Sequence, residues 1–303
     1  PLSQAPVIRT PRLVLRPYRF EDFAPLAAFF ETDRARFVGG PRDGDRVTIN
    51  PLVTDPDSPA TRAGRENLCP TRQIISMPPR EGAFAGLIKM PEANLVPLPE
   101  GFALEKAALA EPIACGWHAV RLGLGALEAP AGRPVRALVF GGGAIGLGAA
   151  LCLRARGITD LTVAEPNQIR RAQIALAEDL RMVAPEALEG AGGYDIVIDG
   201  VGYEATRAAA SANVRPGGVI MHIGLGSATG GLDIRRMTLQ EITFIGTYTY
   251  TAQDFRETAE AMIAGSLGGL DWTDQRALSE GAQAFAEIRR GTVAAPKVIL
   301  KPS

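Results

Sequence analysis

Residues 141–146 read Gly-Gly-Gly-Ala-Ile-Gly, and this cluster constrains the chain more than any other feature. Gly141, Gly143 and Gly146 hold the fixed places of a G-x-G-x-x-G pattern. The apolar run Val135 to Phe140 before it predicts a buried strand. The alanine- and leucine-rich run Ala144 to Ala155 after it predicts a helix. A second apolar run, Leu161 to Ala164, predicts another strand and ends at Glu165. That order of strand, turn, helix, strand and acid predicts a dinucleotide site. Gly141 permits the tight turn, Gly143 lets a pyrophosphate approach the backbone, and Gly146 lets helix and strand pack closely. Ala144 and Ile145 open the helix, whose unpaired N–H groups and dipole favour phosphate. Glu165 is placed to accept hydrogen bonds from both hydroxyls of an adenosine ribose, which favours NAD over NADP. The uncharged stretch Ala137 to Leu153 is shorter than the roughly 20 residues of a membrane span and is interrupted by glycines. It reads as a buried core.

Composition narrows the remaining classes. A chain of 303 residues accommodates two domains. With 46% hydrophobic and 21% charged residues, it has material for both a core and a polar surface. The net charge is −1 and there is no basic block, which argues against a nucleic-acid partner. Pro1 to Thr10 lacks the long apolar core of a signal peptide. Cys69, Cys115 and Cys152 are odd in number and widely spaced, which suits a reducing cytoplasm rather than a disulfide scaffold. The expected partner is a small-molecule substrate, with no membrane.

Three zones follow from the patterning. In the first, up to about Pro41, Val7 to Arg16 alternates and predicts a strand, and Glu21 to Thr32 has helical spacing. Gly39, Gly40 and Pro41 mark a join. The second, residues 42–112, is proline-rich with predicted short strands at Asp45 to Val53, Gly82 to Met90 and Asn94 to Leu98. The third begins near Ile113, with a helix expected over Pro112 to Arg121. Helices are predicted at Gln168 to Leu180, Glu204 to Ala212, Ala252 to Ala264 and Glu280 to Arg289. Strands are predicted at Tyr194 to Asp199, Gly218 to Ile223, Ile242 to Gly246 and Lys297 to Leu300. The alternation predicts an α/β fold with a doubly wound parallel sheet.

From Gly44 to Leu300 the chain resembles the medium-chain dehydrogenase/reductases, and among them the zinc-dependent alcohol and sorbitol dehydrogenases. The residues that carry the likeness are Gly44-Asp45-Arg46-Val47, Ala63-Gly64-Arg65-Glu66-Asn67-Leu68-Cys69, Gly82-Ala83-Phe84-Ala85, Ala110-Glu111-Pro112, the glycine turn, Arg215-Pro216-Gly217-Gly218 and Ile223-Gly224-Leu225. The resemblance implies a Rossmann domain at residues 113–252 inserted in a GroES-like catalytic domain. Residues 42–112 would be an incomplete copy of that domain, and residues 253–303 would return to it. It implies NAD as cofactor, and dimers or tetramers. It places Arg170 over the adenine or ribose. It sets Ile223, Gly224, Leu225, Thr247, Tyr248 and Thr249 beside the nicotinamide.

Two departures from that family are expected to matter. The family's catalytic zinc takes a cysteine and a His-Glu pair from its N-terminal part. This sequence has no cysteine before Cys69, and its only histidines are His118 and His222. Glu111 matches the acidic position beside that zinc and is the one candidate catalytic residue. One carboxylate cannot hold a catalytic zinc alone. The family's structural zinc lobe, C-x2-C-x2-C-x7-C, reads Asp55, Ser58, Thr61 and Cys69 here, which excludes a tetrahedral thiolate site. No metal site is expected, although zinc belongs to the family.

The opening 41 residues resemble something else. Leu-x-Leu-Arg-Pro at 13–17, Glu21-Asp22-Phe23 and the run from Asp33 to Pro41 are similar to the start of a GNAT N-acetyltransferase, as in a chimera. The function expected is hydride transfer between NAD(H) and an alcohol or polyol. The rival is an NAD(H)-binding protein without turnover. An N-acetyltransferase rests on the opening fragment alone. His118 and His222 are expected to be structural, His118 with a proton relay as its sharper alternative.

Overall fold

The computed structural model describes residues 44–188 and 193–302, with the two short strands Ile8–Arg9 and Val14–Leu15 ahead of them. Those two strands pair antiparallel, Ile8 opposite Leu15, so the single strand expected over Val7 to Arg16 is instead two. The expected helix at Glu21 to Thr32, the other acetyltransferase-like motifs and the join at Gly40-Pro41 lie outside the described residues.

The centre of the molecule is a six-stranded parallel sheet. Its strands are β1 (Arg136–Phe140), β2 (Asp160–Ala164), β3 (Arg181–Val183), β4 (Tyr194–Asp199), β5 (Val214–His222) and β6 (Thr243–Gly246). They lie in the order β6-β5-β4-β1-β2-β3, the doubly wound order with its reversal at β1. Helix α1 (Ala110–Ala126) precedes the sheet. Helices α2 (Ala144–Ala155), α3 (Gln168–Glu178), α4 (Glu204–Asn213), α5 (Ile234–Leu239), α6 (Ala252–Ile263) and α7 (Gly281–Arg289) follow in turn.

Alternation along the strands decides what packs where. Ala137 and Val139 of β1, with Ile196, Ile198 and Met221, face Ile113, Val120, Leu147, Leu151 and Phe255 from α1, α2 and α6. Leu138, Phe140, Val197 and Ile220 face the other way, onto Ala210 of α4. Helix α2 is buried from Gly146 to Leu153, which is why it carries no charge before Arg154. Beneath the sheet, buried Asp195 accepts two hydrogen bonds from Arg133 (2.7 and 2.9 Å) and one from the Arg136 N–H (2.8 Å). A further bond comes from Arg215. Burial pushes this carboxyl up, but those donors more than offset it and hold it at about 2.

The remaining strands are short. Val47–Ile49 pairs with Leu95–Pro97, and Leu52–Val53 with Gln73–Ile74, both antiparallel. The one strand expected over Asp45 to Val53 is therefore split at Asn50-Pro51, where the Asn50 side chain accepts the Leu52 N–H at 3.0 Å. Gly82 to Met90 is not a strand. Phe84 is 66% and Leu87 93% exposed, and an extended segment without an edge to pair with gains no ladder of hydrogen bonds. Toward the C-terminus, β7 (Thr273–Ala277) pairs parallel with β8 (Lys297–Lys301). Its sequence, Thr-Asp-Gln-Arg-Ala, has no apolar alternation and so gave no sign of a strand. β3 and α5, three and six residues long, also went unanticipated for want of length.

Candidate cofactor site at the carboxyl edge of the sheet

Register aligns the strand ends. Phe140 lies opposite both Ala164 and Asp199, Asp199 opposite His222, and His222 opposite Gly246. The residue that follows each end therefore falls along one edge. The glycine turn, Glu165, Ile223 and Thr247, dispersed in the sequence, come together there. Ligands of open α/β sheets bind at this edge, at the reversal of strand order.

The turn is built as the spacing requires. Gly141 has φ +97°, which side-chain-bearing residues rarely adopt. A Cβ on Gly146 would sit 1.9 Å from the Gly141 carbonyl oxygen, so the helix meets the strand end with no room for a side chain. Gly143, the residue before α2, has nothing within 4 Å of where a Cβ would point. The backbone is therefore open at Gly143, immediately before Ala144 and Ile145 begin the helix, and an open helix N-terminus is a place where an anion can be held.

Glu165 is 4% exposed. Its Oε2 accepts the Gly142 N–H at 2.8 Å and its Oε1 accepts the Asn167 N–H at 2.8 Å. The carboxylate is thereby fixed against the glycine turn, with one further lone pair on each oxygen for a ribose hydroxyl. Arg170 Nη1 lies 3.6 Å from Oε2. The same guanidinium donates to the carbonyls of Ala294 (2.9 Å) and Val293 (3.1 Å). Arg170 therefore joins the acid to the C-terminal segment.

A cavity of about 610 Å³ opens beside this turn, lined by Ala144, Arg170, Phe84, Phe285, Lys297 and neighbouring apolar residues. Lys297, at the start of β8, sets a cation on the same cavity as the N-terminus of α2. It was not singled out in the sequence. A lone lysine in an apolar strand far along the chain carries no local sign of reaching the glycine turn.

Glu111 lies in the first turn of α1 and accepts a hydrogen bond from Tyr250 Oη at 3.2 Å. Burial raises its pKa, while Lys297 and Tyr250 act in the opposite direction. Burial also pushes the neighbouring Cys115 thiol and the Tyr250 phenol far up, so both stay protonated. Among the described residues no group of three or more His, Cys, Asp and Glu side chains has the geometry to hold a metal ion. One carboxylate beside a protonated thiol and phenol does not fit a catalytic zinc. At the former structural lobe, Asp55, Ser58, Thr61 and Cys69 do gather about one helical turn, Pro59–Arg62. The Thr71 hydroxyl, 3.3 Å from the buried Cys69 thiol, is the main group that holds it down to about 7. Two hydroxyls and a carboxylate around one thiol do not fit a structural zinc either.

Past Ile223, Gly224 packs on the Val201–Gly202 backbone and Leu225 projects outward, 88% exposed. Past β6, the Thr247 N–H donates to the His222 carbonyl at 2.9 Å, and Thr249 has φ +47°. Tyr248 is held by residues far earlier in the chain. Its carbonyl accepts from Asn67 at 2.7 Å, and Arg72 lies 4.6 Å over its ring. His118 is buried, with its Nδ1 2.8 Å from Asp254 Oδ2. Arg121 binds the same carboxylate through two nitrogens, at 2.7 and 2.9 Å. This network clasps α1 to α6. His222 Nδ1 lies 3.3 Å from Asp199 Oδ2, within the row of strand ends.

The chain is similar in sequence and in fold to known dehydrogenases. The family described as zinc-binding dehydrogenase matches residues 144–264. Sorbitol dehydrogenase 1 of Saccharomyces cerevisiae is 29% identical over 240 residues, which is 74% of this chain and 65% of that protein. L-galactonate-5-dehydrogenase of Escherichia coli is 30% identical over 235 residues, 75% of this chain and 66% of that protein. The chain thus spans just under two thirds of these relatives. In fold it is similar to an oxidoreductase/dehydrogenase of unknown specificity from Escherichia coli. That likeness has a TM-score of 0.76 at 23% identity, over 86% of this chain and 76% of that one. It is also similar to 2R,3R-butanediol dehydrogenase from Bacillus subtilis, with a TM-score of 0.73 at 22% identity, over 86% of this chain and 74% of that one. Over residues 144–264 the chain is similar to the zinc-binding dehydrogenase family, and the chain around them aligns with sorbitol and polyol dehydrogenases.

Proposed function

We propose that this chain binds NAD(H) along the carboxyl edge of its sheet and serves an oxidoreductase of the alcohol or polyol dehydrogenase type. The observation that carries the reading is the fitted turn: Gly146 closed against Gly141, Gly143 open, and Glu165 locked beside them. In this reading the pyrophosphate lies against the N-terminus of α2, with Lys297 offering it a cation. The adenosine ribose faces Glu165. The nicotinamide half extends the opposite way, over the ends of β4 and β5. The Glu165 carboxylate would repel a ribose 2′-phosphate, so NAD(H) is preferred. Bound cofactor would accept the hydride from an alcohol as NAD, or supply it to a carbonyl as NADH. The residues of this chain bind and orient it, and Phe84 and Phe285 offer apolar surface beside it.

In this reading residues 113–252 form the cofactor domain, inserted between residues 42–112 and 253–303 of the catalytic domain. Substrate-side chemistry rests on Glu111, which Tyr250 orients. A carboxylate without a metal repels a developing alkoxide rather than stabilising it. That favours a second reading for the chain as it stands: NAD(H) binding without turnover. One experiment separates the two. NADH is titrated by its fluorescence, and NAD reduction is assayed with a panel of polyols, with and without added zinc. Binding with polyol-dependent reduction supports the enzyme, and binding alone supports the second reading. A folded chain that binds no NADH defeats both.

A further inference from the structure

We propose that Arg207 is a positioning residue that sets the shape of the nicotinamide side of the cleft without touching the cofactor. The proposal rests on the NAD(H) reading above. Arg207 lies on α4 and is 5% exposed. Its Nε donates to the Gly230 carbonyl at 2.6 Å. Its Nη1 donates to the carbonyls of Gly202 (2.8 Å) and Ser227 (3.0 Å), and its Nη2 to Ser227 Oγ (2.9 Å) and to the Thr229 carbonyl. One buried guanidinium therefore gathers carbonyls from two separate turns.

Those turns are the ones that follow β4 and β5. They already meet backbone to backbone. The Gly226 N–H donates to the Val201 carbonyl (3.2 Å) and the Ser227 N–H to the Gly202 carbonyl (2.9 Å). A Cβ on Gly224 would fall 2.1 Å from the Val201 carbonyl carbon. Val201 also touches the glycine turn, its Cγ2 lying 2.6 Å from a Cβ built on Gly141. Beyond Ser227 the loop runs through Gly230 and Gly231, both at φ near +85°. Glycines leave such a loop many alternatives. Arg207 removes them, because its planar fork of donors fixes the direction of each carbonyl it binds.

The chemical consequence is directional. The adenosine half of a dinucleotide sits on the β2 side, at Glu165, away from these turns. The nicotinamide half sits on the β4–β5 side, against them. Loosening the loop lowers the fraction of molecules shaped to receive the second half, and apparent affinity falls by that fraction. An unclamped loop competent about one tenth of the time weakens NADH about tenfold and leaves ADP-ribose affinity nearly unchanged.

The test uses Arg207→Met, which keeps the stem and removes every donor, and Arg207→Lys, which keeps charge but not the fork. NADH and ADP-ribose affinities are measured on each beside the unmodified chain, well below the melting temperature. Amide hydrogen exchange is followed over residues 224–231. The expected result is about a tenfold loss for NADH in Arg207→Met, a smaller loss in Arg207→Lys, ADP-ribose within about twofold, and faster exchange confined to the loop. Equal loss of both ligands, or no loss of either, overturns the proposal; so does unchanged exchange. If Arg207→Met does not fold, Arg207→Lys is read by the same criteria. Failure of the unmodified chain to bind either ligand overturns the NAD(H) reading itself, and the exchange data then decide separately whether Arg207 clamps the loop.

Discussion

The four inner strands of the parallel sheet each have two hydrogen-bonded neighbours, whereas the four strands between Val47 and Pro97 make two isolated pairs. The first region buries apolar side chains on both faces of its sheet, with Val96, Phe102, Trp272 and Ile299 added at the margin of one of them. The second leaves Met77, Phe84 and Leu87 exposed by 58, 66 and 93%. It is attached by individual side chains: Thr48 to the Ala107 carbonyl, Glu66 to the Ala252 N–H and Asn67 to the Tyr248 carbonyl. A dinucleotide site of the kind proposed here, made of backbone, one acid and a helix terminus, needs only the first kind of region. A site whose metal ligands are gathered from several loops needs the second kind to be intact.

The largest effect expected from testing this contrast comes from giving the weaker region a staple. Asp55 and Ser58 already stand beside Cys69, whose thiol is held down to about 7, and Thr61 is bonded to the Asp55 carbonyl. Replacing all three by cysteine supplies four thiolates. Structural zinc sites of that kind release on the order of 10 kcal/mol on metal binding. The expected outcome is about one zinc per chain by metal analysis and a higher melting temperature, with NADH affinity unchanged. Zinc at Cys69 in the unmodified chain would contradict the donor argument.

Gly146→Val attacks the stronger region at its one point without slack. The new Cβ lands 1.9 Å from a backbone oxygen that cannot rotate away. Overpacking of this sort costs about 3 kcal/mol. NADH binding is expected to disappear while circular dichroism still shows a folded sheet. Retained affinity would show that the turn is not the phosphate site.

How far the sequence could be read follows the same divide. The strand, turn, helix and acid from Arg136 to Glu165 were legible because each is coded locally, by apolar runs, glycines and one carboxylate at a fixed offset. Glu204–Asn213 and Tyr194–Asp199 were legible for the same reason. Thr273–Ala277 was not, because its only reason to be a strand is pairing with Lys297–Lys301. Gly82 to Met90 looked like a strand and is none, since pattern alone supplies no partner. Within the site, Gly143 and Glu165 announced themselves. Lys297, Tyr250 and Arg207 did not, since each acts across the fold on residues remote in the chain.

Asp195 supplies a smaller effect, and one with a pH signature. Its carboxyl stands at about 2 in the folded chain against an ordinary 3.8. A depressed folded value means that its stabilisation is fully present above about pH 4. It is lost as pH falls toward 2, where the carboxyl protonates in the folded state too. Asp195→Asn is expected to destabilise by about 2 kcal/mol at neutral pH, leaving Arg133 and Arg215 without their anion. The variant should also lose less stability between pH 4 and 2 than the parent. Denaturant titrations at several pH values read both quantities. Parallel pH profiles would show that the acid sensitivity lies elsewhere.

Glu165 gives the smallest change and the most specific. Its oxygens are pinned by Gly142 and Asn167, so the carboxylate cannot swing aside for a 2′-phosphate. Glu165→Gln keeps the shape and one acceptor oxygen while removing the charge. The like-charge repulsion then vanishes, and Arg170, 3.6 Å from Oε2, is left facing the ribose edge with its charge unopposed. NADPH affinity is expected to rise about tenfold relative to NADH, equivalent to about 1.4 kcal/mol. Stability is expected to fall by about 1 kcal/mol, because the amide nitrogen leaves one of the two backbone N–H groups without an acceptor. Fluorescence titration with both nucleotides measures the ratio. An unmodified chain that binds NADH and NADPH equally would remove Glu165 from the selectivity argument. A Gln variant whose ratio does not move would do so as well, leaving the glycine turn as a phosphate site whose ribose partner is another residue.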